Sequence, residues 1–281
     1  MKNNSNTYLS RNLKQSKHFY CISYFEGEYE WIYKLDQTKY IVYNKSDKDL
    51  PEGIKSIKLK NVGYNLFSYL EFIIKNYENL PDSIIFCKNN IFDRHINKNL
   101  FAKLIKRNIF TSLQEKNYLS NSFVSLRISD QGFSEINTSW YKYNYDRLFF
   151  ADYNDFYKYI FNSSEIPIFL KFAPGGNYLL KKENILLRSK SFYQNLKLFI
   201  SHSQYSCESH FLERSLETIW TSSLEINTKM SKRLTQEELN KIKKKCAIKK
   251  SKENKILEKI LQTIIIKIGE LYYKILKSNL V

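Results

Sequence analysis

An α/β fold with a mainly parallel single sheet flanked by helices is predicted by three observations. Short β-branched and aromatic runs alternate with helically spaced apolar residues over positions 19–87. Glycine (7) and proline (4) are scarce in a chain of 281 residues, which excludes linker-dominated architectures and favours long elements with few tight turns. Hydrophobic residues reach 43% and aromatic residues 16%, enough to bury a sizeable core and to exclude a wholly disordered chain.

Taken in order, the elements follow from local pattern. Residues 1–18 form a polar N-terminal arm. Phe19 to Phe25 is aromatic and β-branched and reads as a buried strand, and Glu28 to Leu35 reads as helical. Strands at Tyr40 to Tyr43 and Ile57 to Leu59 are separated by a Pro51/Gly53 turn. Apolar positions 66, 67, 69, 70, 73, 74 and 77 give a helix that ends before Pro81, and Ser83 to Cys87 is a fourth strand. Asn99 to Phe110 and Arg147 to Phe161 read as helices, whereas Ser120 to Tyr145 has no clear period. Ile168 to Phe172 and Asn177 to Leu180 are strands around a Pro174-Gly175-Gly176 turn, followed by helices at Ser191 to Ser201 and Ser209 to Ser222.

The charge is unevenly placed. The net charge is +17, yet residues 229–281 hold 15 Lys/Arg against 5 Asp/Glu, so +10 of it lies there. Residues 228–281 therefore read as a basic amphipathic helical tail on a mildly basic body. Thr235-x-x-Glu238 fits a capping box, and Leu257, Leu261, Ile264, Ile268, Leu271 and Ile275 alternate spacings of four and three. Such a stripe suits an anionic membrane surface, a homodimer seam, or docking on the chain's own body. Cys21, Cys87, Cys207 and Cys246 are isolated and read as free thiols. Met1 to Lys17 lacks the apolar run of a secretory signal, and no run approaches a membrane span. A cytoplasmic location is expected, peripheral on the inner membrane face if the tail binds lipid.

No P-loop, GxGxxG, HExxH or GxSxG is present. Open α/β sheets bind ligands beyond the carboxyl ends of their strands, so the candidates are the loops there. Asn61-Val62-Gly63-Tyr64-Asn65 precedes a helix whose N-terminus suits a phosphate, with Gly63 permitting close backbone approach; an ordinary capping turn is the plainer reading. Lys88-Asn89-Asn90-Ile91-Phe92-Asp93-Arg94-His95 crowds polar groups at the exit of the fourth strand. Asp93 and His95 there could supply a base or a metal ligand, or simply a surface turn. Gly175, Gly176 and Asn177 form a tight turn that allows close approach, and Glu213-Arg214 reads as a structural ion pair or as a carboxylate at the site.

The ordered series Tyr29-Glu30-Trp31, Tyr43-Asn44-Lys45, Asn61-Val62-Gly63, Tyr69-Leu70, Leu80-Pro81-Asp82 and Ile85-Phe86 carries a resemblance. Pro174-Gly175-Gly176-Asn177, Ser191-Phe192-Tyr193 and Phe211-Leu212-Glu213-Arg214 with Trp220 continue it. Over about residues 19–222 the chain resembles an uncharacterised family, a domain of unknown function of the 3431 series described as glycosyltransferase-like. The resemblance implies a glycosyltransferase-A-like domain over 19–227, with Asn61, Gly63, Lys88, Asn89 and Asn90 at a nucleotide-sugar donor. It also implies His95, Gly175, Gly176 and Asn177 at substrate, and Asp93 and Glu213 as catalytic carboxylates. Such enzymes commonly hold a divalent metal on an Asp-x-Asp after the fourth strand, whereas Lys88-Asn89-Asn90 stands there in this chain. Lys88 could instead neutralise the diphosphate.

The expected activity is transfer of a sugar from a nucleotide sugar to a surface polysaccharide, capsule or lipopolysaccharide, or to a lipid-linked acceptor. The alternative is a non-catalytic nucleic-acid- or protein-binding module with a degenerate donor site and a lysine-rich tail.

Overall fold

A computed structural model describes residues 2–115, 125–127, 133–163 and 165–253, with helical positions 257, 260, 261, 263–268 and 271. The N-terminal arm is itself helical, α1 (Lys2–Lys14), because Leu9 and Leu13 bury one turn apart. Then come β1 (Phe19–Tyr24), β2 (Tyr40–Asn44), β3 (Ser56–Lys58), α2 (Leu66–Asn76) and β4 (Ser83–Lys88). The middle holds α3 (Ile91–Arg94), α4 (Lys98–Leu104), β5 (Thr111–Ser112), β6 (Ser125–Arg127), β7 (Phe133–Ile136), α5 (Tyr153–Ile160) and β8 (Phe169–Phe172). The last part runs β9 (Tyr178–Lys181), α6 (Lys182–Leu186), α7 (Lys190–Ile200), α8 (Cys207–Thr221) and α9 (Gln236–Ser251).

Strand alternation builds a layered core. Tyr20 and Ile22 of β1, Tyr40 and Val42 of β2, and Ile85 and Cys87 of β4 join one cluster with Trp31 and Phe101. Cys21, Tyr43, Ile84 and Phe86 point the other way, onto α2, α7 and α8. Helices thus cover both faces of the six-stranded sheet, whose order is β3-β2-β1-β4-β9-β5.

The sheet is mixed α/β architecture, more mixed than the mainly parallel expectation. β1 to β4 pair in parallel, whereas β9 runs antiparallel to both β4 and β5. β9 leaves a turn at the carboxyl end of β4, where Tyr178 sits opposite Phe86, so it must run back down the sheet. A separate antiparallel sheet, β6-β7-β8, occupies part of the stretch with no clear period.

Three helical expectations shorten. Glu28 to Leu35 keeps only a single 3-10 turn at Ile32–Lys34, and Asn99 to Phe110 closes as α4. Arg147 to Phe161 becomes helical only from Tyr153, where Asp152 accepts from the Asp155 amide as an N-cap. Before it, the amides of Leu148, Phe149 and Phe150 all donate to the buried Glu208 carboxylate rather than to helical carbonyls.

α9 opens with the expected capping box: the Thr235 amide donates to Glu238 at 2.8 Å and the Glu238 amide to Thr235 Oγ1 at 3.2 Å. The helix docks through Leu239, Ile242 and Cys246. Beyond it, Leu257, Leu261, Ile264, Ile268 and Leu271 lie exposed, and Ile275 falls outside the described residues. All four cysteines are free and buried. No helix among the described residues is long and apolar enough to cross a membrane.

Candidate functional site

The chain leaves β1 toward β2 and β3, then returns to add β4 on the opposite side of β1. That reversal opens a crevice beyond the carboxyl ends of β1 and β4, the place where open α/β sheets take ligands. A cleft of about 320 Å³ lies there. One wall is Ser23, Phe25, Glu26, Lys88, Asn90 and Arg94, from the exits of β1 and β4; the other is Asn61, Tyr64, Asn65, Gln204 and Tyr205, with Lys45 at the end of β2.

Lys88 is the electrostatic centre. Its amide donates to Asn177 Oδ1 at 3.1 Å, which fixes the strand exit, while its ammonium has no hydrogen bond or ion pair among the described residues. Burial and the neighbouring Arg94 lower its pKa, and Glu213 opposes them. Lys45, 4% exposed, donates to the carbonyls of Val62 (2.6 Å) and Tyr64. Burial, reinforced by the charge of Lys88, brings its pKa down to about 7. The two carbonyls belong to a turn in which Tyr64 adopts φ 49, a left-handed conformation costly for a bulky residue. The Lys45 ammonium offsets that cost, so one cation both shapes the cleft wall and charges it.

Burial, aided by the same field, lowers the pKa of both nearby imidazoles. Burial first, then Lys88, brings His95 down to about 3. His95 Nδ1 lies 3.0 Å from Gln114 Oε1, and its Nε2 has no partner among the described residues. His210 is depressed by burial, Arg214 and Lys88. It stacks on Tyr145 (4.4 Å between ring centroids), and its Nε2 sits 3.2 Å from the Tyr64 hydroxyl.

The structure distributes the sequence-derived candidates unevenly. Asn61, Lys88, Asn89 and Asn90 line the cleft. The Asn89 amide group is committed, however, donating to the Glu26 and Glu28 carbonyls at 2.8 and 2.9 Å and so tying down the loop after β1. Gly63 has φ +62, and a Cβ there would stand 2.9 Å from both the Ile200 side chain and its carbonyl oxygen. Its lack of a side chain therefore serves close approach to α7. Asp93 is exposed on α3, next to the cleft-lining Arg94.

Gly175, Gly176 and Asn177 are buried beneath the cleft, outside its lining. Gly175 has φ +80, and a Cβ would meet the His95 ring at 3.1 Å. Its amide donates to Glu213 Oε1 at 2.7 Å, and its carbonyl accepts from the Asn65 side chain. Glu213 Oε2 takes a second bond from Arg214 at 3.2 Å. Arg214 in turn makes a two-pronged pair with Glu135, at 2.7 and 2.9 Å. The turn, Glu213 and Asn177 thus form one bonded floor under Lys88.

The two candidate loops also bring Tyr64 and Arg94 to the cleft, whereas sequence reasoning missed Lys45, Phe25 and Tyr205 as cleft residues. Lys45 had a signal: it immediately follows a strand whose five residues are all buried, where a lysine must find acceptors.

The lining offers a single carboxylate, Glu26, and so makes no metal site of its own. Cationic Lys45, Lys88 and Arg94 surround the cleft, and no three His, Cys, Asp or Glu side chains converge among the described residues.

Fold and cleft define an α/β protein with a cation-lined crevice at the switch point of its sheet. The chain belongs to the family described as protein of unknown function (DUF3431), which matches residues 23–239. No curated protein and no solved structure matches the chain.

Proposed function

We propose that the chain is a glycosyltransferase-like enzyme of the nucleotide-sugar-binding, single-sheet type, holding the donor diphosphate in the β1/β4 cleft without a divalent metal. Its acceptor is a surface polysaccharide or a lipid-linked precursor at the cytoplasmic membrane face. The observation that carries this reading is the Lys88 ammonium, which faces a switch-point cleft beside Arg94 with no protein partner among the described residues. A diphosphate supplies the missing negative charge.

As the acceptor oxygen bonds to the sugar C1, the bond from C1 to the diphosphate oxygen breaks and its electron pair leaves on the diphosphate. Lys88 and Arg94 stabilise that growing charge. Asp93, exposed on α3 beside Arg94, is the carboxylate for the acceptor proton, while Glu213, whose oxygens are taken by the Gly175 amide and Arg214, acts on Lys88 electrostatically. Phe25 and Tyr205, 40% and 46% exposed, offer rings on which a nucleobase stacks. The exposed stripe Leu257, Leu261, Ile264, Ile268 and Leu271 supports the membrane role. Part of the tail's charge is engaged within the protein, since Lys249 pairs with Asp152 and Asp155, which leaves less of it for nucleic acid.

A thermal-shift panel of nucleoside diphosphates and nucleotide sugars on the full chain tests the reading. A ligand that binds only the folded state raises the melting temperature, with about 2.7 kcal/mol of stabilisation at a hundredfold excess over Kd. One nucleotide sugar is expected to stabilise the chain equally with manganese or chelator, and Lys88→Met is expected to reduce the shift. No shift by any ligand overturns the donor site, and a shift that needs manganese overturns the metal-free reading.

A further inference from the structure

A second cavity, of about 400 Å³, lies between α5 and α9, and its size falls within the roughly 300–1,000 Å³ of ligand pockets. Its floor is apolar, made by Phe149, Phe150, Tyr159 and Ile242. Its rim carries Lys158, Lys229, Lys241 and Lys245 against Asp155 and Glu238, a balance of 4 − 2 = +2. Both carboxylates are already engaged: Asp155 takes Lys249 at 2.8 Å, and Glu238 closes the Thr235 capping box. Lys241 pairs with Glu237 at 2.6 Å. The ammonium groups of Lys158, Lys229 and Lys245 have no hydrogen bond or ion pair among the described residues.

We propose that this cavity binds a single-chain anionic amphiphile, with its headgroup on the rim lysines and its alkyl chain on the aromatic floor. The proposal is independent of the nucleotide reading of the β1/β4 cleft. Charge complementarity sets the sign of the headgroup, and the apolar concavity requires a tail. A nucleic-acid backbone would satisfy the lysines and leave the floor empty. A helix about 10 Å across with a 5.4 Å pitch encloses roughly 420 Å³ per turn, so the cavity admits no more than one turn of a peptide helix. The volume suffices, by contrast, for one alkyl chain. The headgroup chemistry is shared by a lipid phosphate and a fatty carboxylate.

Calorimetric titration of the full chain with octyl phosphate, octanoate and neutral octyl glucoside, each below its micelle concentration, tests the site. One-to-one binding of an anionic probe is expected, at least tenfold tighter than the glucoside. The exposed rim variant Lys229→Glu/Lys245→Glu, which breaks no internal pair, is expected to weaken that binding at least tenfold. Lys244→Glu, exposed on the same helix outside the cavity, is expected to leave it unchanged. Tighter binding of octyl phosphate assigns a lipid phosphate, and tighter binding of octanoate assigns a fatty acid; either supports the site. Absence of saturable anion binding, equal affinity for the glucoside, or undiminished binding by the rim variant overturns it.

Discussion

Two pairs of buried cations differ in what surrounds them. Arg214 is gripped by Glu135 through two bonds at 2.7 and 2.9 Å, and Arg147 by Glu253 through two at 2.8 and 2.9 Å. At the carboxyl ends of β2 and β4, Lys45 leans on two carbonyls and Lys88 on nothing among the described residues. An interior cation closed by a carboxylate inside the chain is structural. On the proposed function, one left open at a cleft takes its counter-charge from a ligand, so the difference in partners separates scaffold from candidate site.

The largest effect is expected where the structural pair is broken. Arg214→Ala leaves Glu135 buried and uncompensated, and loss of one partner of such a pair costs about 3–5 kcal/mol. Chemical denaturation should show that loss, and removing both charges in Glu135→Leu/Arg214→Met should restore most of it. If the single variant lost under 1 kcal/mol, the pair would not be the scaffold that the comparison makes it.

Lys88→Met reverses the pattern. Without ligand, the variant should be as stable as the parent or slightly more so, because a cation without a partner is removed. Its affinity for the nucleotide ligand should fall roughly ten- to a hundredfold, the worth of a charge-assisted bond of about 1.5–3 kcal/mol. Stability curves and binding isotherms on the same samples separate the two quantities.

These open cations were only partly legible in the sequence. Lys88 could be found because it ends a hydrophobic strand in an α/β pattern, a position where the fold class alone places ligands. Lys45 sits in an equivalent position, but its acceptors are carbonyls of Val62 and Tyr64, brought to it by a left-handed residue. Gly63 reads as freedom to approach a ligand, whereas the neighbour that excludes a Cβ is Ile200, far along the chain. Strands β1, β2 and β4 were legible because alternate residues feed two cores. In the small β6-β7-β8 sheet only β8 was legible, as Ile168 to Phe172; β6 and β7 were not, since they are short strands in the stretch without a usable period.

A smaller and more specific effect is expected from pH. With its folded pKa near 7 and an unfolded value near 10.4, Lys45 binds fewer protons in the folded chain than in the unfolded one between those limits. Its contribution to stability should therefore rise with pH from about 7 to about 10. An anion in the cleft favours the charged form, so nucleotide binding at pH 8 should take up protons. Calorimetry in buffers of different ionisation enthalpy reads that uptake directly, and Lys45→Met should abolish it.

The smallest effect belongs to a third kind of cation, paired but open to water. Lys249 reaches Asp152 at 3.0 Å and Asp155 at 2.8 Å, yet its side chain is 47% exposed. Solvent screens such pairs to about 0–1 kcal/mol. Lys249→Ala should accordingly lower stability by less than about 1 kcal/mol, and the difference from the parent should shrink further at about 1 M salt, where the screening length is about 3 Å. A loss as large as that of Arg214→Ala would mean that distance between charges, rather than burial with a partner, governs the scaffold, and the contrast between the two kinds of interior cation would fail with it.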